Sequence, residues 1–452
     1  MELNGKRVLV VGLGKSGTAS ALFLKAHGAR VTASDSKTFD QFSKEIPLLL
    51  DHGIVVETGG HGERTFQEQD LIVISPGVPV DAPPLVQARA RGEAVIGEVE
   101  LAAQFFPGPV VAITGSNGKT TTTTLAGEIL AACGLSTAVG GNIGTPAISL
   151  IERANKDTIG VLEISSFQLE TIQTFHPRIA VILNVTPDHL DRHHTLAAYV
   201  DAKARIFENQ QADDFAVLNA DDPTCVQMAS RTRARVFWFS RKKEVKQGAC
   251  VRQGRVLFRD SAGERKIMLV SEIPLKGAHN VENVLAAVCV GALLGCEAKK
   301  IEQAVRAFKA VEHRLEYVAT IRGVEYYNDS KATNVDATIK ALESFPANIH
   351  LILGGKDKGS DYSVLNDLLR QRVKRVYTIG AAAEKIESQI RGTEIVQAGT
   401  LESAIKRAAA VAQPGDIVLL APACASFDQF RSYEHRGKVF KEVVQELAKP
   451  AV

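Results

Sequence analysis

The run Thr114-Gly115-Ser116-Asn117-Gly118-Lys119-Thr120 follows the apolar stretch Val110 to Thr114 and opens the threonine run Thr120 to Thr124, which includes Thr121. Two glycines, a lysine and a hydroxyl in this order suit phosphate. The glycine backbone presents N–H groups at a helix N-terminus, the ammonium reaches the terminal phosphates, and the Thr120 hydroxyl can ligate Mg²⁺. The general loop pattern requires glycine at position 113, where Ile113 stands, so this is a shortened variant. A threonine-rich helix start would need neither the glycines nor the lysine, and the expectation is ATP.

Glu163 ends a short apolar run, where a Mg²⁺-binding acid lies in nucleotide-binding sheets. The next run ends in Asn184-Val-Thr-Pro-Asp188-His189-Leu-Asp191-Arg-His193-His194, a density of Asp and His that suits a metal or phosphate; within it, His193 and His194 read as surface residues. Lys203, on the helical segment Tyr199 to Asn209, reads on its own as solvated. Further along, Glu312-His313-Arg314 precedes Asn328-Asp329-Ser330-Lys331-Ala332-Thr333-Asn334. Arg314 can clamp a phosphate with two parallel hydrogen bonds, Lys331 can act as a point charge and Asp329 can hold a ribose. The turn Gly354-Gly-Lys356-Asp-Lys358-Gly359 can hold a carboxylate. The run Ala421-Pro-Ala-Cys424-Ala-Ser426-Phe427-Asp428 can cap either a carboxylate or a helix N-terminus.

Near the start, Gly12-Leu-Gly14-Lys15-Ser16-Gly17 follows a strand and Asp35 ends the next one, with Ser36 and Lys37 after it. The same pattern serves a dinucleotide, another diphosphate ligand or a structural turn, because any diphosphate needs close backbone approach at a helix N-terminus.

Positioning these residues requires strands whose carboxyl ends face one way. Short β-branched runs alternate with helical-period segments almost throughout, the pattern of α/β parallel sheets. Strands are expected at Arg7–Val11, Arg30–Ala33, Ile54–Glu57, Leu71–Ile74, Val110–Thr114, Gly160–Ile164, Ile179–Leu183 and Phe215–Asn219. The segment 235–270 reads as antiparallel. A third block holds strands at His350–Leu353, Arg375–Ile379, Glu394–Gln397 and Asp416–Leu420. At 452 residues, 45% hydrophobic and 23% charged, the chain is a folded globular protein of about three domains. Its net charge of +2 gives no general affinity for nucleic acid. The six cysteines are scattered without a paired spacing, which argues for buried, reduced thiols. No apolar run reaches the ~18 residues of a membrane span, and the N-terminus has no secretory pattern, so a cytoplasmic location is expected.

Taken together, TGSNGKTT, LEISSFQLE, NVTPDHLDRH, LKGAHNVEN, EHRLE, NDSKATN, GGKDKG and APACASFDQF resemble, in order and over the whole chain, the ATP-dependent Mur ligases of peptidoglycan synthesis, with folylpolyglutamate synthetase a distant relative. LEISSFQLE and ACASFDQF are similar to the D-glutamate-adding branch. The DNPR stretch of the diaminopimelate-adding branch is absent. The resemblance implies three domains, a Rossmann-like 1–97 for a UDP-sugar, a central ATPase domain 98–310 and a Rossmann-like 311–452 that closes over ATP and amino acid. It also implies the substrates UDP-N-acetylmuramoyl-L-alanine, D-glutamate and ATP and an acyl-phosphate route; the sequence leaves the oligomeric state open, and a monomer is the expectation.

The residue roles follow from the same resemblance. Gly14, Lys15, Ser16, Asp35, Ser36, Lys37 and Asn142 match the UDP-substrate contacts. Gly115, Ser116, Asn117, Gly118, Lys119, Thr120, Thr121, Asn280, Asn283, Arg314, Asp329 and Lys331 match the ATP site. Thr333, Lys358, Ser426 and Phe427 match the D-glutamate pocket, and a one-residue shift in GGKDKG would exchange Lys356 for Lys358. Lys119, Glu163, His189 and Lys203 match the catalytic positions. Two Mg²⁺ ions are implied, one on Thr120 and Glu163, the other near His189 and a carbamylated Lys203.

Overall fold

The computed structural model describes residues 1–309 and 311–448. The expected domain limit at 310 and the chain end beyond 448 lie outside the described residues. Three sheets organise the chain. The first has β1 (Arg7–Val11), β2 (Arg30–Asp35), β3 (Val55–Thr58), β4 (Leu71–Ile74) and β5 (Ala94–Gly97), all parallel, in the order 3-2-1-4-5 of a Rossmann half. Val8 to Val11 are all buried, as expected of a strand covered on both faces. Helix Lys15–Ala26 packs close to β1 because Gly17 has no side chain: a Cβ there would lie 1.7 Å from the Gly12 carbonyl oxygen.

The second sheet comprises β6 (Val110–Thr114), β7 (Thr137–Gly141), β8 (Ile159–Glu163), β9 (Ile179–Ile182), β10 (Phe215–Asn219), β11 (Arg235–Ser240), β12 (Gly248–Arg252), β13 (Arg255–Asp260) and β14 (Gly263–Leu269), in the order 14-13-12-11-10-9-6-8-7. It corrects the expectation for 235–270. β11 pairs parallel with both β10 and β12, and only β12, β13 and β14 run antiparallel. β6 lies between β8 and β9, so strand order reverses there, and the crevice outside its carboxyl end is where an open α/β sheet binds ligand.

The third sheet holds β15 (Glu316–Ile321), β16 (Val324–Asn328), β17 (Ile349–Gly354), β18 (Val373–Ile379), β19 (Glu394–Gly399) and β20 (Ile417–Leu420) in the order 15-16-20-17-18-19. The β15–β16 hairpin turns on Arg322-Gly323, both at positive φ (51° and 76°), the geometry that matches strand twist in a two-residue turn. The sequence reading missed it because arginine at such a turn is not a standard signal.

The chain divides into two compact units. Met1–Val185, Arg192–Val270 and Asn283–Val305 form one; Thr186–Asp191, Ser271–Glu282 and the chain from Arg306 form the other. In the first unit one apolar core runs from Val8 and Leu24 of the first sheet's layer through Ile148 to Leu162 and Ile182. In the second, separate clusters cover the two faces of its sheet. No helix among the described residues is long and apolar enough to cross a membrane.

Candidate active site

In the first unit the phosphate loop leaves β6 between two strand ends that supply its partners. Register sets Ile113 opposite Glu163 of β8 and Thr114 opposite Ile182 of β9. Gly115 (φ 156°) and Gly118 (φ 87°) make the turn, and a Cβ on Gly118 would meet Asn283 Oδ1 at 2.2 Å. The Thr120 hydroxyl donates to Glu163 Oε2 (2.8 Å), while Asn142 Nδ2, beyond β7, donates to Glu163 Oε1 (2.8 Å). Two expected residues, Thr120 at the start of the helix after β6 and Asn142 just past β7, therefore share the one buried carboxylate at the end of β8. Lys119 Nζ donates to the carbonyls of Gly115 (2.8 Å) and Ser116 (3.0 Å), and Thr121 is buried in the first helical turn.

Lys203 departs from its reading as a solvated residue. It is 1% exposed, its Nζ donates to the Gly115 carbonyl (2.9 Å) and lies 4.5 Å from the Tyr199 ring centroid. Tyr199 Oη in turn is 3.2 Å from Ser116 Oγ. An apolar helix face, not a charge pattern, carries Lys203 inward, so sequence alone signals it weakly. Asn184 opens the Asp- and His-rich run 184–194, and nothing in its spacing signals a role of its own. Its Oδ1 accepts the Asn117 amide (2.8 Å), its Nδ2 donates to the Asn117 carbonyl (3.0 Å) and its own carbonyl accepts the Ser116 amide (3.0 Å), which fixes the loop from the β9 side.

His193 also departs from expectation. It is 6% exposed, with Nε2 2.9 Å from Ser166 Oγ and its ring stacked on Phe167, whereas His194 is exposed as expected. Arg192 donates to both Glu170 (2.9 Å) and the Val78 carbonyl (3.0 Å), joining the 166–170 turn to the proline-rich turn after β4.

At the first glycine turn, Asp35 Oδ2 accepts the Leu13 amide (2.8 Å) and Oδ1 the Lys37 amide (2.9 Å), so the acid shapes the loop it was expected to accompany. Gly14, Lys15, Ser36 and Lys37 are exposed around it and Ser16 is half-buried. A groove of about 700 Å³ starts at Lys15 and follows the helix past Leu22 and Phe23.

In the second unit, three ligand-type loops emerge from adjacent strand ends, since β20 pairs with β16 on one side and β17 on the other. The loop after β16 carries Asp329, Lys331 and Thr333. Burial pushes the Asp329 carboxyl up to about 6, against the opposing pull of Arg314, the Leu315 amide and Lys331. Arg314 has a buried Nε with no hydrogen-bond partner among the described residues. Lys331 Nζ lies 5.2 Å from the Tyr433 ring centroid. Asn280 donates to the Lys276 carbonyl (2.6 Å). Ser426 is buried, Phe427 is 68% exposed and Thr333 is half-buried. His189 adopts φ 55°, with Nε2 3.7 Å from Asp188 Oδ2. Asp188 accepts from Asn334 Nδ2 (2.8 Å) and lies 3.9 Å from Lys358 Nζ.

One residue here gave no sequence signal. Arg436 is fully buried and donates to Ser330 Oγ (3.0 Å), the Ser330 carbonyl (2.8 Å) and the Cys424 carbonyl (3.1 Å). It joins the loops after β16 and β20 from beneath, and burial lowers its guanidinium to about 10.

A phosphate loop paired with a strand-end acid, on a chain whose third sheet gathers cations and hydroxyls at three neighbouring strand ends, belongs to enzymes that use ATP to activate a carboxylate for amide formation. The chain is a member of the Mur ligase family. The model for the Mur ligase MurD-like N-terminal domain matches residues 6–97, that for the Mur ligase middle domain 113–291, and that for the Mur ligase glutamate ligase domain 313–424. Proteins named UDP-N-acetylmuramoylalanine--D-glutamate ligase from Koribacter versatilis and Acidobacterium capsulatum are 67% and 60% identical, over 99% and 98% of this chain and 99% and 97% of theirs. Among solved structures, a pseudomurein peptide ligase type C from Methanothermus fervidus (TM-score 0.63, 21% identity, 98% of this chain and 100% of that one) and the MurF ligase from Thermotoga maritima in complex with ADP (TM-score 0.61, 19% identity, 98% and 96%) share the fold.

Proposed function

We propose that the protein joins D-glutamate to UDP-N-acetylmuramoyl-L-alanine with ATP, giving ADP and phosphate. The observation that carries this reading is the Lys119, Thr120, Glu163 and Asn142 cluster at one strand-end crevice, in a chain alike over its whole length to D-glutamate ligases. The free carboxylate of the alanyl group attacks the γ-phosphorus and ADP leaves. The amine of D-glutamate attacks the resulting acyl phosphate, and the tetrahedral intermediate expels phosphate. Charge stabilisation supplies most of the acceleration in such steps. In this reading Lys119 neutralises the transferring phosphoryl group on the loop amides of residues 115–118. Asp329 and Arg314 hold the nucleoside side of ATP with Asn280, Asn283 and Lys331. Lys358, Thr333, Ser426 and the Phe427 backbone hold the amino acid, and Gly14 to Ser16, Asp35 to Lys37 and Asn142 hold the UDP-sugar.

The oxygen donors of Thr120 and Glu163 fit Mg²⁺, which takes carboxylate, hydroxyl and phosphate oxygens. Bound there, Mg²⁺ would add positive charge to the phosphates. A second ion would be held by His189 and Lys203, the lysine fitting only as its carbamate, which converts a donor into an anionic oxygen acceptor. The reading further places the enzyme in the cytoplasm as a monomer, with domains 1–97, 98–310 and 311–452.

The test is phosphate release from ATP with UDP-N-acetylmuramoyl-L-alanine, comparing D-glutamate with L-glutamate, L-alanine, L-lysine and meso-diaminopimelate. Release that requires the nucleotide sugar and D-glutamate together, with the product confirmed by mass, supports the proposal. Release with a different amino acid keeps the ligase and rejects the pocket; none from a folded, ATP-binding protein rejects the activity.

A further inference from the structure

The turn after β17 carries Lys358, and side-chain hydrogen bonds brace it. Asp357, the residue before that lysine, accepts three hydrogen bonds: from Tyr362 Oη (2.8 Å), from Lys385 Nζ (2.7 Å) and from the Ser360 amide (3.2 Å). Tyr362 is fully buried, and its own amide donates to Gln389 Oε1 (2.8 Å). Its Oη also lies 2.9 Å from Cys424 Sγ in the loop after β20. A phenol has one proton, and the carboxylate takes it, so the thiol is the donor on the other side. The result is a relay from the Cys424 S–H through the Tyr362 O–H to the Asp357 carboxylate. The charges agree with this order. Burial pushes the Cys424 thiol up to about 11, which keeps it protonated, while burial's upward push on Asp357 is outweighed by Lys385, Tyr362 and the turn amides, which hold it ionised.

A second tie flanks the first. Lys356 and Ala425 exchange backbone hydrogen bonds in both directions (2.8 and 3.1 Å). Gly355 allows that approach, since a Cβ there would sit 2.3 Å from the Ala425 carbonyl oxygen. Lys356 itself is exposed, whereas Lys358 is half-buried and lies within 3.9 Å of Asp188. The turn that presents Lys358 and the loop that presents Ser426 are therefore fastened at two consecutive residues, one through the backbone and one through a side chain.

We propose that Asp357 is a positioning residue for the amino-acid site: anchored on Tyr362, Lys385 and the Ser360 amide, it fixes the turn so that Lys358 and the Ser426 loop face the same substrate carboxylate. The inference rests on the reading of Lys358 as an amino-acid contact. A lysine with four rotatable bonds gains specificity only when its backbone is held, because a mobile turn adds its own ordering entropy to that of binding.

The experiment measures steady-state kinetics of the full enzyme for Asp357→Ala, Tyr362→Phe, Lys358→Ala and the Asp357→Ala/Lys358→Ala double variant. Asp357→Ala should raise the KM for D-glutamate by roughly tenfold, the size of a lost charge-assisted hydrogen bond, with kcat within about twofold and the KM values for ATP and nucleotide sugar unchanged. Tyr362→Phe, which keeps the ring volume, should move the same KM in the same direction by less, and Asp357→Asn, which keeps the acceptor for Tyr362, should recover part of the loss. The double variant should be no worse than Lys358→Ala alone. If Lys358→Ala leaves the D-glutamate KM unchanged, the underlying reading of that lysine fails. If Lys358→Ala raises it while Asp357→Ala and Tyr362→Phe do not, or if the losses add fully, the positioning role is overturned. Should Asp357→Ala fail to fold, Tyr362→Phe decides the matter.

Discussion

Glu98 is the first residue after β5, where the first sheet hands the chain to the second. It is 1% exposed, its Oε1 accepts the Ile148 amide (2.7 Å), and its Oε2 has no hydrogen-bond partner among the described residues. The cavity beside it, lined by Ser75, Gly97 and Thr171 among others, is about 10 Å³, room for one water at most. Burial pushes the carboxyl from 4.5 to about 7, against the opposing amides of Ile148 and Ala147. The proton is thus held more tightly in the folded than in the unfolded chain. Below about pH 4.5 both states carry it and the group contributes no pH dependence. Between there and about pH 7 the unfolded state ionises first, so stability falls as pH rises, and above that the full penalty applies. At about 1.4 kcal/mol per pH unit this amounts to about 3 kcal/mol.

Glu98→Gln keeps the shape and the acceptor for Ile148 and cannot ionise. Denaturant unfolding of both proteins from pH 5 to pH 8 isolates the effect, because every other titrating group is common to the two. The variant should gain on the wild type by up to about 3 kcal/mol across that range, most of it by pH 7.5. Parallel stability profiles over the whole window would refute the argument from burial. Glu100, two residues on, is the internal comparison. It is equally buried but accepts from the amides of Gln173, Thr174 and Phe175 and from the Thr174 hydroxyl, so the two neighbouring acids differ in how many donors the fold supplies.

Lys119→Ala should abolish ligation, read as phosphate release, with an unchanged circular-dichroism spectrum; wild-type turnover would remove the phosphate-loop assignment. Lys203→Ala should be severely impaired, and intact-protein mass at neutral pH with bicarbonate should show one added CO₂ on the wild type and none on the variant. An active, unmodified wild type would reject the carbamate. Arg436→Met should destabilise the second unit by about 2–4 kcal/mol, since the carbonyls of Ser330 and Cys424 lose their donor at about 1–3 kcal/mol each, offset in part by removing a buried charge. Its thermal midpoint and its KM values for ATP and D-glutamate should shift together; a stable variant with unchanged KM values would exclude a role for Arg436 in holding the two loops.

The motifs were legible in the sequence because each is local. A glycine pair before a lysine, an acid at a strand end and a cation-rich turn carry their chemistry in consecutive residues, and the alternation of apolar runs placed most of them at strand termini in an α/β fold. Element ends drifted by a residue or two, and the Arg322-Gly323 hairpin and the parallel pairing of β11 with β12 were missed, since pairing direction depends on partners distant in the chain. Which loops meet was beyond local pattern. Asn142 and Thr120 converge on Glu163 only because β7, β8 and β6 are neighbours, and Ser330 and Cys424 share Arg436 only because β20 inserts between β16 and β17. Burial was decided at the same level. Lys203, His193, Glu98 and Arg436 are polar side chains that sequence reads as solvent-facing by default, and the fold encloses them because covering the apolar residues around them outweighs the cost of desolvating a group whose hydrogen bonds are largely replaced inside.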